Sequence, residues 1–408
     1  MKKIIHFARK KRIKSYRSIL FFSFTQRLFM SISMNIIGPV IPLITVDLDI
    51  GLEYMGRIIS FGTFALLVST IAAGFLLEVF GFKKIIFTGA VFILAGCLGL
   101  VFSHTIVIFI IAYTILQIGI GMLTVATLSL VGNHYFKDKS KSILISNIGL
   151  TIGAVVAPLL VSLSVYINMG WQFLFFYLAI PQVLLILVLL FLRVPPGRKN
   201  VSAGNLKNLL HANRIIASHP YIALCCFIAF LYISTMQTFY TWFTSYFSSL
   251  DISLDTSSLI LAIYTTATVV GMLVKNYMVK HMKEKKLLLA SISLSFVFLL
   301  AAFLFPNLTV KIIFIFLFGV NVAGNFSLTF SMGLNIGPRF TNIVSSLLHA
   351  SSYLGVVLFQ YLSGYLSENF SKNSVLYIDL ALLLILIIVI AIMNKRELRY
   401  LSRDINIT

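Results

Sequence analysis

The chain is short of charge, and of acidic charge above all. Of its 408 residues only 11% are Asp, Glu, Lys or Arg, and only 12 are acidic, whereas soluble domains carry about 25% charged residues. With 59% hydrophobic residues, this shortage excludes an ordinary soluble fold, which cannot hide so much apolar surface from water. Cysteine is scarce as well: there are three, Cys97, Cys225 and Cys226. They show no CxxC spacing, so no disulfide framework or metal cluster is expected. Also missing are a G-x-x-x-x-G-K-[ST] loop, which excludes nucleotide hydrolysis by that route, and the alternating segments of about ten residues that mark a membrane barrel.

What the chain does have is long apolar runs. About 20 apolar residues cross a bilayer as a helix, and twelve runs qualify: 18–47, 52–79, 85–103, 106–131, 142–166, 171–193, 219–247, 255–279, 286–305, 309–336, 340–367 and 373–394. The expected fold is an all-α polytopic membrane protein with twelve transmembrane helices. The first run follows a basic tail but is too long for a signal peptide and lacks a small-residue cleavage site, so a retained span is expected.

The net charge of +20 would by itself suit nucleic acid, but its distribution points elsewhere. Twelve spans put both termini on one side, and there the N-terminal tail and even-numbered turns hold 28 of the 32 Lys and Arg. The opposite loops hold Arg57, Lys311 and Lys372, and Arg27 lies within the first span. This positive-inside bias places both termini in the cytoplasm, in a cell membrane. The basic loops suit an anionic inner leaflet, and no nucleic-acid partner is expected.

The polar stretch from Arg193 to Pro220 separates six spans from six. The expected organisation is a basic tail over 1–17, a six-helix bundle over 18–194, a cytoplasmic linker over 195–218, a second bundle over 219–394 and a tail over 395–408. The halves show weak similarity at an offset of 202: SNIGLTIGAVVAP (Ser146–Pro158) lies against LHASSYLGVVLFQ (Leu348–Gln360), Gly153 against Gly355 and Asn147 against His349. Transporters whose halves rock about a central site carry such repeats.

The stretch AGFLLEVFGFKK, Ala73 to Lys84, puts a carboxylate at the end of a lipid-compatible run, costly unless paired or wet. Gly74 is expected to allow close helix approach, and Gly81 to make the tight turn before span 3. Gly74, Leu76, Glu78, Gly81 and Lys83 fall on the G-x-L-x-D-[RK]-x-G-[RK]-[RK] motif of the major facilitator superfamily, which the chain resembles over essentially its whole length. Glu78 replaces the Asp, while Val79 and Phe82 replace basic residues; Lys84 extends the basic end. The resemblance implies two pseudo-symmetric six-helix bundles, alternating access, no cofactor, and spans 1, 4, 7 and 10 lining a central cavity. It makes Glu78 a conformational latch, with Gly74, Gly81, Lys83 and Lys84 completing the motif. The equivalent loop of the second half, in NYMVKHMKEKKLLL, keeps little more than positive charge.

Polar groups at membrane depth are functional candidates. Arg27 lies nine residues into span 1, about 14 Å at 1.5 Å per residue. Ser23, Arg27, Ser31 and Asn35 form one helical stripe that should face the bundle interior. Two roles for Arg27 stand open: a ligand for an anionic substrate group, or a structural charge paired with carbonyls or snorkelling to the headgroups. Organic-phosphate members of the superfamily pair arginines of spans 1 and 7, and span 7 here has none, so a monoanion or neutral polar solute is expected. Candidate cavity residues are Arg27, Asn35, Gln117, Gln237, Tyr240, Asn321 and Asn325, with interhelical bonding as the competing account of each. His349 is a candidate proton carrier; a histidine satisfied by a neighbouring helix competes. Asp379, the one acid well inside a span, is expected to pair with a neighbour, and spans 1, 4, 7 and 10 offer no central carboxylate for proton coupling.

The function expected is secondary transport of a small polar or anionic metabolite. Alternatives are efflux of amphipathic drug-like compounds, sugar transport, or a transport-dead receptor or scaffold; no enzyme activity is expected. Expected partners are a small-molecule substrate, the lipid bilayer, and protons or a counter-solute, with the chain a monomer.

Overall fold

The computed structural model describes residues 2–134, 139–192, 194, 219–334 and 341–393. The side chains of 2–16, 78, 132–134, 139–141, 144, 334 and 341–343 fall outside that description, as do the segments expected as the linker (195–218) and the C-terminal tail (395–408).

Fourteen helices make up the described residues: α1 (Lys2–Asn35), α2 (Ile37–Asp47), α3 (Leu52–Phe80), α4 (Phe82–Val101), α5 (Ile106–His134), α6 (Lys139–Tyr166), α7 (Trp171–Phe191), α8 (Pro220–Ser248), α9 (Leu254–Met278), α10 (Glu284–Leu304), α11 (Leu308–Val322), α12 (Asn325–Leu334), α13 (Thr341–Asn369) and α14 (Ser374–Ile392). Ten stretches are long and apolar enough to cross a membrane, and the bent pair α1–α2 makes an eleventh. The twelfth, α13, runs 29 residues but is diluted by serines, His349 and Gln360.

A helix apolar all round needs apolar surroundings on every side, and α7 shows both of its faces. Leu174, Phe175, Leu178, Leu185 and Leu189 are buried, while Phe173, Phe176, Ile180, Leu184, Leu187 and Phe191 stand exposed. Water would penalise that outer face; hydrocarbon does not.

Two spans expected to be continuous are broken. Span 1 bends by 40° between Asn35 and Ile37. Pro39 has no N–H to give the Asn35 carbonyl, and the Asn35 amide donates to Ser31 O at 2.8 Å. Span 10 breaks between α11 and α12, where Ala323 is extended and Gly324 takes φ +73°, a conformation that favours glycine.

The chain forms two compact units, residues 1–48 with 61–201 and residues 49–60 with 202–408. Within the first, α1 packs on α6, α4 on α5 and α4 on α7; within the second, α8 packs on α13, α10 on α11 and α10 on α14. The pairing order repeats, as the sequence offset implies. A Cβ on Gly153 would come within 2.5 Å of Leu28 O, and one on Gly355 within 2.4 Å of Phe230 O. Both glycines and both carbonyls differ by 202 positions, so glycine serves the same close crossing in each unit.

Candidate functional site

In the first unit the polar stripe of α1 faces α5 and α6. The Ser23 hydroxyl lies 3.0 Å from Ser146 Oγ, and Ser31 donates to Leu150 O at 2.7 Å. Between them Arg27 is buried, at 5% exposure. Its Nη2 donates to Asn147 Oδ1 at 2.8 Å, and its Nη1 to Thr124 O at 3.3 Å and Thr127 Oγ1 at 3.4 Å. These acceptors are neutral oxygens on two neighbouring helices, and they set the direction of the guanidinium fork. The sequence offered Asn147 only as a repeat partner of His349; the structure makes it an acceptor for Arg27. Asn35 turns back onto its own helix, to Ser31. Gln117 is buried and donates from Nε2 to the Tyr113 hydroxyl, while its Oε1 has no hydrogen-bond partner among the described residues.

In the second unit, Tyr240 is buried and Gln237 half-buried on α8. Gln360 of α13 clamps this helix: its Nε2 donates to Gln237 O at 3.1 Å and Thr241 Oγ1 at 2.9 Å, and its Oε1 accepts from Trp242 Nε1 at 2.8 Å. Asn321 and Asn325 flank the break in span 10. A cation not among the candidate site residues joins them: Lys275, buried in the last turn of α9, donates to Asn321 O, Ala323 O and Asn325 Oδ1. A broken helix leaves carbonyls unsatisfied, and the ammonium, with three donors, answers them. The available signal was a lysine four residues past a glycine inside an apolar run, before the true turn. His349 is exposed; its Nδ1 lies 2.9 Å from Ser345 O on its own helix, and its ring meets the edges of Phe326 and Phe330. Asp379 is fully buried and pairs with Thr238 Oγ1 at 2.6 Å, the neighbour pairing expected of it.

The motif between spans 2 and 3 gives a mixed result. Gly81 adopts φ +78°, as a tight turn requires. Gly74 does not serve close approach in this structure: a Cβ there would meet nothing within 4 Å, because the position faces outward on α3. The Glu78 side chain lies outside the described residues. Lys83 has a definite partner, donating to Leu190 O at 2.8 Å and Leu192 O at 3.2 Å, so it caps the C-terminus of α7; Lys84 is exposed. The second half keeps more than positive charge. Lys285, 202 positions after Lys83, donates to Met393 O just past α14. Lys311, expected in a loop, lies in the first turn of α11 and donates to Ala302 O at 3.0 Å, capping α10.

Helical described residues with ten or eleven apolar spans of membrane length, an internal repeat in their packing and helices broken beside buried polar groups define a multi-pass membrane protein built like a transporter. More specifically, the chain belongs to the major facilitator superfamily, whose model matches residues 24–339 and again 246–404. A TsgA homolog of Buchnera aphidicola subsp. Baizongia pistaciae is 20% identical over 356 residues, covering 86% of this chain and 89% of that protein. Among solved structures, the nucleoside transporter NupG has a TM-score of 0.77 at 16% identity, covering 92% of this chain and 99% of its own. A D-xylose-proton symporter has 0.75 at 11% identity, covering 91% and 96%. At these identities the likeness to both structures is one of fold.

Proposed function

We propose that this superfamily member is a secondary transporter that moves a small polar or anionic metabolite by alternating access, with both termini in the cytoplasm. The observation that carries the reading is the guanidinium of Arg27, buried in the first unit and aimed by Asn147, Thr124 and Thr127. A planar cation held in one direction suits a carboxylate or a phosphate monoanion bound by two parallel hydrogen bonds. Asn35, Gln117, Gln237, Tyr240, Asn321 and Asn325 supply amide and hydroxyl groups for a polar solute. Glu78, with Gly81, Lys83 and Lys84, acts in the conformational cycle rather than on the substrate.

The test is thermal stability of detergent-purified full-length protein with small carboxylates, phosphate monoesters, neutral sugars and nucleosides, and lipophilic cations. A ligand at 100 times its Kd stabilises the folded state by about 2.7 kcal/mol. Stabilisation by an anion, lost in Arg27→Ala and weakened in Arg27→Lys, is the expected result. Stabilisation by neutral sugars or cations in wild type and both variants would overturn the anion reading and make Arg27 structural.

A further inference from the structure

Asp379 is a carboxyl group that the reading above leaves unused. It lies five residues into α14, fully buried, and Thr238 of α8 is equally buried. One carboxyl oxygen, Oδ1, lies 2.6 Å from Thr238 Oγ1. The other, Oδ2, is buried with no hydrogen-bond partner among the described residues. Its chain neighbours Ile378 and Leu380 belong to the same buried hydrophobic cluster as Phe239, Tyr264 and Phe318.

The hydrogen atoms available do not cover the contacts. Thr238 Oγ1 also lies 2.7 Å from Ser234 O, one turn back on α8, and 3.3 Å from Thr235 O. A threonine hydroxyl has one hydrogen to give. If it goes to the Ser234 carbonyl, the hydrogen in the 2.6 Å contact belongs to Asp379, which is then a carboxylic acid. If Asp379 is a carboxylate, the threonine hydrogen turns to it, and Ser234 O loses its side-chain donor. Two hydrogen-bonding states therefore exist, and one proton on Asp379 selects between them.

The surroundings supply no cation to hold a permanent carboxylate. Of the helices packed on α14, α8 carries the tyrosines Tyr232 and Tyr240, and the hydroxyl of Tyr264 on α9 reaches Met236 Sδ of α8 at 3.4 Å. The charged groups of α10, Glu284, Lys285 and Lys286, sit in its first turn. Lys285 is engaged at Met393, 14 residues from Asp379 and about 21 Å away along a helix. On α13, Glu368 accepts from the Glu53 backbone N–H, and His349 is turned to Ser345 O. Among the described residues no lysine, arginine or histidine acts on Asp379. An ionised carboxylate buried without a cation is costly, so the charge is taken on only when the proton leaves.

We propose that Asp379 is a proton-binding site within the second unit, and that Thr238 passes its state to α8. On release the O–H bond of the carboxyl breaks, the proton passes to water, and the electron pair stays on the carboxylate. The Thr238 hydroxyl then rotates its hydrogen from Ser234 O to Asp379. Gln237 and Tyr240, proposed above as solute contacts, lie on the same helix within about one turn of Thr238, so the proton and those side chains share one element. This is the coupling that a proton-driven transporter requires. The proposal takes only the transporter family from the reading above, so it stands or falls independently of the anion.

The test needs no substrate. Infrared difference spectra of the full-length protein in lipid vesicles, taken between acidic and alkaline buffer, should contain a carboxylic-acid carbonyl band that shifts in heavy water. The band should vanish in Asp379→Asn, whose amide keeps the contact to Thr238, and shift in frequency in Thr238→Val. Tryptophan emission should follow the same pH midpoint in wild type and stay flat in Asp379→Asn, since Trp242 is one turn from Thr238. Identical difference spectra for wild type and Asp379→Asn would overturn the proposal, as would a band unaffected by Thr238→Val.

Discussion

The two units are built on one plan and furnished differently. At an offset of 202 positions each keeps the glycine that lets its first and fifth spans cross, Gly153 on Leu28 O and Gly355 on Phe230 O. Each also keeps the lysine that caps its sixth span, Lys83 at Leu190 and Leu192 and Lys285 at Met393. The buried polar groups do not repeat. Arg27 corresponds to Ala229, Lys275 to Ala73, and Asp379 to Tyr177, which is exposed. Contacts that hold helices together are constrained alike in both halves, whereas the buried charged groups differ and distinguish the units.

The glycine crossings carry the largest expected effect. A side chain at either position would press on a backbone carbonyl, which cannot swing aside as a flexible side chain does. Overpacking of this kind costs about 3 kcal/mol when neighbours cannot give. Gly153→Val and Gly355→Val should therefore lower the apparent melting temperature by similar amounts at one fixed scan rate. A large fall for one and none for the other would break the equivalence.

The capping lysines come next. Lys83 and Lys285 each give charge-assisted hydrogen bonds to terminal carbonyls. Solvent near a helix end screens such bonds, so about 1 kcal/mol each is expected. Lys83→Met and Lys285→Met should lower stability equally, and high salt should shrink both differences. A fall confined to Lys83→Met would restore the view that the second-half loop keeps only charge.

The class of fold was legible because hydrophobic length and lysine distribution are one-dimensional properties. The twelve spans can be counted on the chain, and Gly81 can be assigned from the turn it must make. The stripe of Ser23, Arg27, Ser31 and Asn35 was legible because helical periodicity puts its members on one face, and the structure turns that face toward α5 and α6. What could not be read is what each polar group meets. Lys275 looks like one more basic residue at a cytoplasmic turn until α11 is seen to break beside it. Lys285 looks like residual charge until Met393 is placed at its tip. Gln360 clamps α8 from a helix more than 110 positions away in the chain, and periodicity has no means of reporting such a pairing.

The smallest expected effect belongs to Gly74, and it sharpens the comparison among glycines. Gly153 and Gly355 are fixed by space, whereas Gly74 has none to defend in this structure, with nothing within 4 Å of a built Cβ. In the interior of α3 a glycine costs helix stability, about 0.5–1 kcal/mol relative to alanine. Gly74→Ala should therefore leave the melting temperature unchanged or raise it slightly, the opposite sign to the other two. A clear fall would show that packing missing from this structure holds the position to glycine. A stable variant that binds solute normally yet exchanges it across vesicle membranes more slowly would assign Gly74 to a conformation the cycle visits elsewhere. The motif would then be a constraint of movement, where the glycines of the fifth and eleventh spans are constraints of the fold.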